Sequence, residues 1–317
     1  MILPITLIIV GFVALIYGAN WLVNGASSLA KKYGVSDLVI GLTIVALGTS
    51  APELVVNSVA ASDGLSDIVL GNIIGSNNFN LFIILGIAAL VYPIAVQSST
   101  AKREIPISLF VAVLFLAVAN DFLMDAVTEI SRLDAAIMLL LFGGFLYYIF
   151  KQMKTEQPDA VSYIPKSNST IIALIGFGFV GLIVGGKLVV DNAIMVATDL
   201  GVSQKIIGLT IIAAGTSLPE LVTSVVAALK KNSDIAIGNV IGSNIFNILL
   251  VIPISSMISP IQFAPKFNQD IWILIGGTVF VIASLSLSKS KKITRWHGLI
   301  LFGFYCFYTG YLVSKEI

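Results

Sequence analysis

The stretch GLTIVALGTSAPELVVNSVAASDGLSDIVLGNIIGSNNFN, residues 41–80, returns as GLTIIAAGTSLPELVTSVVAALKKNSDIAIGNVIGSNIFN, residues 208–247. The copies align without a gap at a constant offset of 167, and over 41–86 against 208–253 the residues are identical at 26 of 46 positions. What recurs is mostly polar: Thr49, Ser50, Pro52, Glu53, Asn72, Ser76 and Asn80 match Thr216, Ser217, Pro219, Glu220, Asn239, Ser243 and Asn247. Each polar group is costly to bury in so apolar a chain. Two matching clusters therefore imply one two-fold symmetric polar site.

Working outward, the composition is that of a membrane protein: 57% of residues are hydrophobic and 11% charged, with a mean hydropathy of +1.00. A hydrocarbon core of about 30 Å needs roughly 20 apolar residues per helix. Ten such runs are expected, near 2–25, 35–60, 67–92, 105–120, 133–151, 169–197, 203–229, 235–259, 268–288 and 294–313. The first has no positively charged start and continues beyond the length of a signal peptide, so it reads as a membrane helix. Cys306 is the only cysteine and can form no internal disulfide. A net charge of +1, with no basic stripe carrying aromatics, gives no sign of a nucleic-acid partner.

Charge placement orients the chain. Lys31 and Lys32, Lys102 and Arg103, Lys151, Lys154 and Lys166, Lys230 and Lys231, and Lys289, Lys291, Lys292 and Arg295 all follow odd-numbered spans. The other connections carry Asp63 and Asp67, then Asp121, Asp125 and Glu129, then Asp199. The positive-inside rule puts the first set in the cytoplasm and both termini outside. Each half then has five spans, so the second copy enters from the opposite face. Lys31-Lys32 aligns with Thr198-Asp199, and Asp63-Gly64 with Lys230-Lys231, so the charge changes while the motif does not. The expectation is an all-α membrane protein of ten transmembrane helices in two inverted five-helix repeats, 1–151 and 168–317, joined by a short cytoplasmic linker, 152–167. Inverted repeats with interrupted helices near the midplane mark secondary transporters, although some channels share them.

The chemistry lies in GTSAPE and GTSLPE. A proline inside a helix removes a backbone donor and crowds the carbonyl four residues back, so Pro52 disturbs Gly48 and Pro219 disturbs Gly215. Carbonyls loosened near Ala46 to Thr49 and Ala213 to Thr216 need protein, water or a cation as partners. Thr49 and Ser50 share a helix face with Glu53, as Thr216 and Ser217 do with Glu220. A packed proline kink is the plain reading of one such motif, but it does not account for two matched copies that each bury a glutamate. In the second motif Asn72, Ser76 and Asn80 recur every four residues as a polar stripe, and Asn239, Ser243 and Asn247 repeat it. Gly71 and Gly75, with Gly238 and Gly242, make small steps that admit another helix backbone.

Carboxylates, hydroxyls, amide oxygens and carbonyls are hard oxygen donors. Neither motif contains His or Cys, and His297 is the only histidine. The set suits calcium, magnesium or sodium rather than zinc or copper. Calcium tolerates six to eight oxygens in flexible geometry, whereas magnesium gives up its water reluctantly. One calcium ion would neutralise both glutamates. Cations competing for shared glutamates provide a physical basis for antiport.

At these residues the chain resembles the cation/calcium antiporter superfamily, most closely the prokaryotic members of its sodium/calcium exchanger branch. The resemblance covers both GTSxPE and both GN-x-x-GSN-x-x-N motifs. It implies that Glu53 and Glu220 hold calcium with carbonyl oxygens of Thr49 and Thr216. It also implies one sodium pocket from Ser50, Ser76 and the Ala46 carbonyl and another from Ser217, Ser243 and the Ala213 carbonyl, both sharing the glutamates, with Asn80 and Asn247 lining the centre. The expected activity is electrogenic exchange of Na+ for Ca2+ across the cell membrane by alternating access. The expected protein is not an enzyme, has no cofactor and needs no obligatory protein partner beyond the lipid bilayer. Potassium-dependent relatives carry aspartate where Asn247 stands, which points to potassium independence. Proton-coupled relatives lack the hydroxyl pair ahead of the glutamate, so Thr-Ser in both copies favours sodium. Calcium/proton exchange through the same glutamates and a cation channel are the alternatives. The short linker carries no calcium-loop pattern, so regulation by a soluble domain is not expected.

The remaining charges have plain readings. Lys187 and Asp191, four apart, are expected to pair. Asp121, Asp125 and Glu129 read as a solvated outer loop, and Glu104 as a surface charge beside Arg103. In the family the first and sixth spans slide over the core. Here those spans carry Gly11, Gly18 and Gly25, and Gly176, Gly178, Gly181, Gly185 and Gly186, which suit close sliding contact.

Overall fold

The computed structural model describes residues 2–120, 128–153, 166–200, 213–288 and 290–316. Its helices are α1 (Ile2–Tyr33), α2 (Asp37–Thr49), α3 (Ala51–Ser62), α4 (Ser66–Val91), α5 (Ser98–Lys102), α6 (Glu104–Ala119) and α7 (Arg132–Met153). The second half follows with α8 (Asn168–Asp199), α9 (Ala213–Gly215), α10 (Leu218–Leu229), α11 (Ser233–Ile258), α12 (Asn268–Leu287) and α13 (Arg295–Glu316). Among the described residues six helices are long and apolar enough to cross a membrane, or seven if the α2–α3 pair, bent by 45°, is counted as one broken span. The start of the run expected at 203–229 and most of the 152–167 connection lie outside the described residues. At 16 residues α6 is shorter than a straight crossing requires.

The bend between α2 and α3 is local chemistry. Pro52, at the second position of α3, cannot donate to the helix ladder, and Ser50 leaves helical geometry at φ −84°, ψ 6°. Ser217, ahead of α10 and Pro219, does the same at φ −91°, ψ 7°. The long helices α4 and α11 are interrupted differently. Each contains a π-helical segment, Phe79–Ile84 and Asn247–Val251, and Asn80 and Asn247 lie within them. Such widened turns occur preferentially at functional sites.

Helices α4 and α11 form the centre: 78% and 94% of their most apolar stretches are buried, against 28% for α1 and α8. Small residues let the central backbones approach. A Cβ on Gly242 would lie 2.7 Å from Ala46 Cβ, and one on Gly238 3.0 Å from the Leu38 carbonyl oxygen. This is the expected role of these glycines. Among the described residues an added Cβ on Gly71 meets only Phe267 Cε1, at 3.7 Å, and one on Gly75 meets nothing within 4 Å; most of the segment that matches α2 in the second copy, 204–216, lies outside the described residues.

At the periphery α1 and α8, each 32 residues long, cross backbone to backbone. A Cβ on Gly18 would lie 2.8 Å from Leu182 N, and one on Gly185 2.8 Å from the Gly11 carbonyl oxygen. Gly176 and Gly186 do not share in this crossing: Gly176 has nothing within 4 Å of an added Cβ, and Gly186 meets only the Pro219 ring, at 3.8 Å. Gly48 and Gly215 also serve as packing positions. An added Cβ would enter the Phe179 ring at 1.9 Å or meet Val190 Cγ2 at 2.4 Å, so both motif glycines admit side chains of α8.

Four two-residue strands tie the halves together. Strand β1 (Ile94–Ala95) pairs with β4 (Lys292–Ile293), and β2 (Glu129–Ile130) with β3 (Ile261–Gln262), both antiparallel. Each pair joins one half to the other, and β1 and β3 sit at the repeat offset of 167. Glu129 accepts from Gln262 Nε2 at 2.6 Å, so it belongs to a paired strand rather than to a freely solvated loop. Asp121 and Asp125 lie outside the described residues.

Candidate functional site

The two GTSxPE bends bring the acids together. Glu53 and Glu220 are buried, each 1% exposed, within electrostatic reach of one another. Each is held by the hydroxyl of the opposite copy. Ser50 Oγ donates to Glu220 Oε1 at 2.9 Å, and Ser217 Oγ donates to Glu53 Oε1 at 3.2 Å. Thr216 also flanks Glu53, and Thr49 and Ser243 flank Glu220.

A second layer crosses the same line. Asn72 Nδ2 donates to Thr216 Oγ1 at 3.2 Å, and Thr49 Oγ1 donates to Asn239 Oδ1 at 3.1 Å. The layout is two-fold but the amide polarity is reversed, because Asn57 and Ser224 occupy matching positions. Asn57 Nδ2 donates both to the Glu53 carbonyl oxygen, at 2.7 Å, and to Asn72 Oδ1, at 2.8 Å, which turns the Asn72 nitrogen towards Thr216. In the other copy Asn239 Nδ2 donates to Ser224 Oγ, at 2.9 Å, and to the Glu220 carbonyl oxygen, at 3.3 Å, which turns its oxygen towards Thr49.

Deeper along α4 and α11 four buried asparagines meet. Asn80 Nδ2 donates to Asn244 Oδ1 at 3.1 Å, and Asn247 Nδ2 donates to Asn77 Oδ1 at 3.0 Å. The nitrogens of Asn77 and Asn244 donate to each other's backbone carbonyl oxygens, at 3.5 and 3.3 Å.

The atoms left over define the chemistry. Glu53 Oε2 and Glu220 Oε2, Ser76 Oγ and Ser243 Oγ, and Asn80 Oδ1 and Asn247 Oδ1 are buried without a hydrogen-bond partner. Each such atom costs about 1–3 kcal/mol, more if charged. They form three matched pairs at the repeat offset, whereas Asn78, Thr223 and Ser255, which also have a lone atom, face Ile245, Val56 and Ala88 at that offset. All six atoms can act as oxygen acceptors. Among the described residues no three His, Cys, Asp or Glu side chains converge on a possible metal site. The donor set at the bends is two carboxylates with neutral oxygens, the kind of all-oxygen set that suits hard cations.

Of the residues singled out in the sequence, Thr49, Ser50, Glu53, Thr216, Ser217 and Glu220 come together at the bends. Ser76, Asn80, Ser243 and Asn247 lie on the two central helices against them. Ala213 opens α9. The Ala46 carbonyl oxygen is already engaged, accepting from Ser50 N at 3.0 Å, and it lies 3.3 Å from Thr49 Oγ1 as the longer alternative to that hydroxyl's bond to Asn239. The pattern of the stripe missed Asn57, Asn77 and Asn244, although the last two are matched in both copies. Lys187 and Asp191 pair at 3.1 Å on the exposed face of α8. The reading of Glu104 as a surface charge is corrected: Glu104 is fully buried and accepts from the Tyr148 hydroxyl of α7.

Two buried acids flanked by hydroxyls, where two matched motifs of a multi-pass membrane protein meet, are a candidate cation site, and the family and fold are those of an ion transporter. Residues 3–151 and 170–314 match the sodium/calcium exchanger protein family, and the chain belongs to it. It is 37% identical over 316 residues to a putative antiporter, CaxA, of Alkalimonas amylolytica, covering 95% of this chain and 96% of that protein. It is 34% identical to the sodium/calcium exchanger MaX1 of Methanosarcina acetivorans, covering 94% and 95%. A solved structure of the sodium-calcium exchanger NCX_Mj, soaked with 2.5 mM Na+ and 0.1 mM Ca2+, superposes with a TM-score of 0.83 at 31% identity, over 97% of each chain.

Proposed function

We propose that the protein exchanges Na+ for Ca2+ across the cell membrane by alternating access, electrogenically and without potassium. The observation that carries this reading is the set of three matched pairs of unpartnered buried oxygens, one from Glu53 and Glu220 and two from the helices α4 and α11. Calcium bound to both glutamates, with backbone oxygens of Thr49 and Thr216, would neutralise the pair. Sodium ions would use Ser50, Ser76 and the Ala46 carbonyl on one side, and Ser217, Ser243 and the Ala213 carbonyl on the other, sharing the same glutamates. The Ala46 carbonyl would then exchange its Thr49 hydroxyl contact for the ion. Asn80 and Asn247 would line the middle. Two desolvated carboxylates are unfavourable without a counter-charge, so the carrier returns loaded and flux in one direction is tied to flux in the other.

The membrane arrangement is part of the proposal: ten spans, both termini outside, and repeats 1–151 and 168–317 inverted about the linker 152–167. The alternation of basic and acidic connections supports it, as do strands β1 and β3, which occupy matching positions in the two halves. Calcium/proton exchange is the second reading, favoured by one feature: two adjoining buried acids can also be neutralised by protons.

The test is calcium uptake into sodium-loaded proteoliposomes diluted into potassium, choline or sodium medium at clamped pH. Uptake that requires the outward sodium gradient, equal in potassium and choline, is expected. Uptake that ignores sodium and follows an imposed proton gradient would replace this reading with the second.

A further inference from the structure

The polarity of the central amides is set from outside the cation pocket. A side-chain amide has one end that donates and one that accepts, and the two ends are nearly equal in shape, so something must decide which end of Asn80 and Asn247 stays free. The backbone carbonyl oxygens of Asn77 and Asn244 accept only. Because Asn77 Nδ2 is directed at the Asn244 carbonyl and Asn244 Nδ2 at the Asn77 carbonyl, each of these side chains must present its oxygen on the other side. Those oxygens receive Asn247 Nδ2 and Asn80 Nδ2. Both nitrogens are thereby occupied, and the ends left without a partner are Asn80 Oδ1 and Asn247 Oδ1. Reversing either central amide would set two oxygens against each other and offer N–H groups to a cation. All four side chains are 2% exposed or less, so water cannot relieve the mismatch.

We propose that Asn77 and Asn244 are positioning residues that lock Asn247 and Asn80 with oxygen, not nitrogen, available to the transported cation. They act through the central asparagines and hold no ion themselves. The assignment rests on the reading of this site as a cation site. It predicts that the locking role needs an amide at position 247: a carboxylate there offers oxygen to a cation whichever way it turns, and it sets an oxygen against Asn77 Oδ1 rather than a nitrogen.

The experiment is a double-mutant cycle on the purified protein, using Asn77→Leu, Asn247→Asp and the double variant. The readouts are the calcium KM and kcat of sodium-driven uptake in proteoliposomes, and the shift in melting temperature on adding Ca2+ or Na+. Asn77→Leu alone is expected to raise the calcium KM about tenfold with a smaller change in kcat, the equivalent of one hydrogen bond's polarity. In the Asn247→Asp background, where no amide needs to be locked and Asn77 Oδ1 would face another oxygen, the same substitution is expected not to raise KM by more than about threefold and can lower it. Asn77→Asp, which keeps the acceptor for Asn247 and the shape of the side chain, covers the case in which leucine prevents folding, and is expected to bind calcium no more weakly than the unmodified protein. Equal KM increases in both backgrounds would overturn the proposal, since a packing role would not depend on residue 247. So would an Asn77→Asp variant that folds normally and binds calcium weakly. An unmodified protein whose melting ignores both cations would instead overturn the cation-site reading itself, and this assignment with it.

Discussion

Ser50 belongs to the first motif, yet its hydroxyl is committed to Glu220 of the second, at 2.9 Å. Ser217 returns the contact to Glu53 at 3.2 Å. Neither copy completes its own acid. Each glutamate shares a hydroxyl with the proposed sodium pocket of the opposite repeat, so occupancy of that pocket and the orientation of the carboxylate cannot be set independently. If the pockets hold the ions proposed, competition between sodium and calcium follows from this crossing, without any need for a signal over distance.

The first prediction concerns the acids. Glu53→Gln or Glu220→Gln removes one of two charges that a divalent cargo would neutralise. Removing one partner of a buried charge interaction costs about 3–5 kcal/mol, which corresponds to a loss of at least about 100-fold. Calcium uptake in proteoliposomes should fall to background in either variant. Lys187→Gln, which affects only an exposed pair on α8, should retain uptake within about twofold, because exposed pairs contribute about 0–1 kcal/mol. Full flux through a correctly inserted Glu53→Gln protein would remove the glutamates from the site.

The hydroxyls should separate the two cations. Ser50 donates to Glu220, and Ser243 flanks the same acid without a hydrogen bond of normal geometry. Ser50→Ala combined with Ser243→Ala removes a proposed ligand from each sodium pocket and leaves both carboxylates in place. The sodium concentration for half-maximal exchange should rise about tenfold or more, roughly one ligand's worth of binding energy per ion, while the calcium KM moves less than about threefold. Equal losses for both ions would mean that sodium and calcium have no separate pockets.

Binding should also be visible as stability. Ligand that binds only the folded protein at 100 times its Kd stabilises it by about 2.7 kcal/mol, and an ion at the proposed site would also satisfy oxygens that are otherwise unpartnered. Addition of Ca2+ should raise the melting temperature of the detergent-purified protein by several degrees. Chelation should reverse the shift, and Glu220→Gln should abolish it. A shift of equal size in Glu220→Gln would place the stabilising ion elsewhere.

Much of this was legible in the sequence because duplication marks function: a residue such as Glu53 or Asn80 is kept twice in an apolar chain that gains nothing from its burial. What could not be read there depends on contacts between distant segments. Glu104 stands beside Arg103 and looks exposed until Tyr148 of α7, 44 residues later, covers it. Asn77 follows Ser76 by one residue, about 100° round the helix, so a stripe drawn through Asn72, Ser76 and Asn80 passes it by. Only the approach of Asn244 from the other copy gives it a role. Among the glycines, Gly18 and Gly176 look alike in sequence. Which one lies on the crossing is decided by the rotation of α8 against α1.

That distinction yields the last prediction. The α1–α8 crossing leaves no room for a side chain at Gly18, where an added Cβ would sit 2.8 Å from Leu182 N and 2.9 Å from the Gly178 carbonyl oxygen. These are backbone atoms and cannot turn aside, so Gly18→Val must push the helices apart, at a cost of about 1–3 kcal/mol for overpacking. At Gly176 the added group meets nothing within 4 Å, and Gly176→Val should stay within about 0.5 kcal/mol, as surface substitutions do. Thermal unfolding in detergent should show a lowered midpoint for Gly18→Val and an unchanged one for Gly176→Val. If α1 and α8 also slide over the core during exchange, as the family resemblance implies, Gly18→Val will slow turnover by more than it weakens calcium binding. A variant that melts early but turns over at the unmodified rate would make the crossing a structural seam and not a moving one.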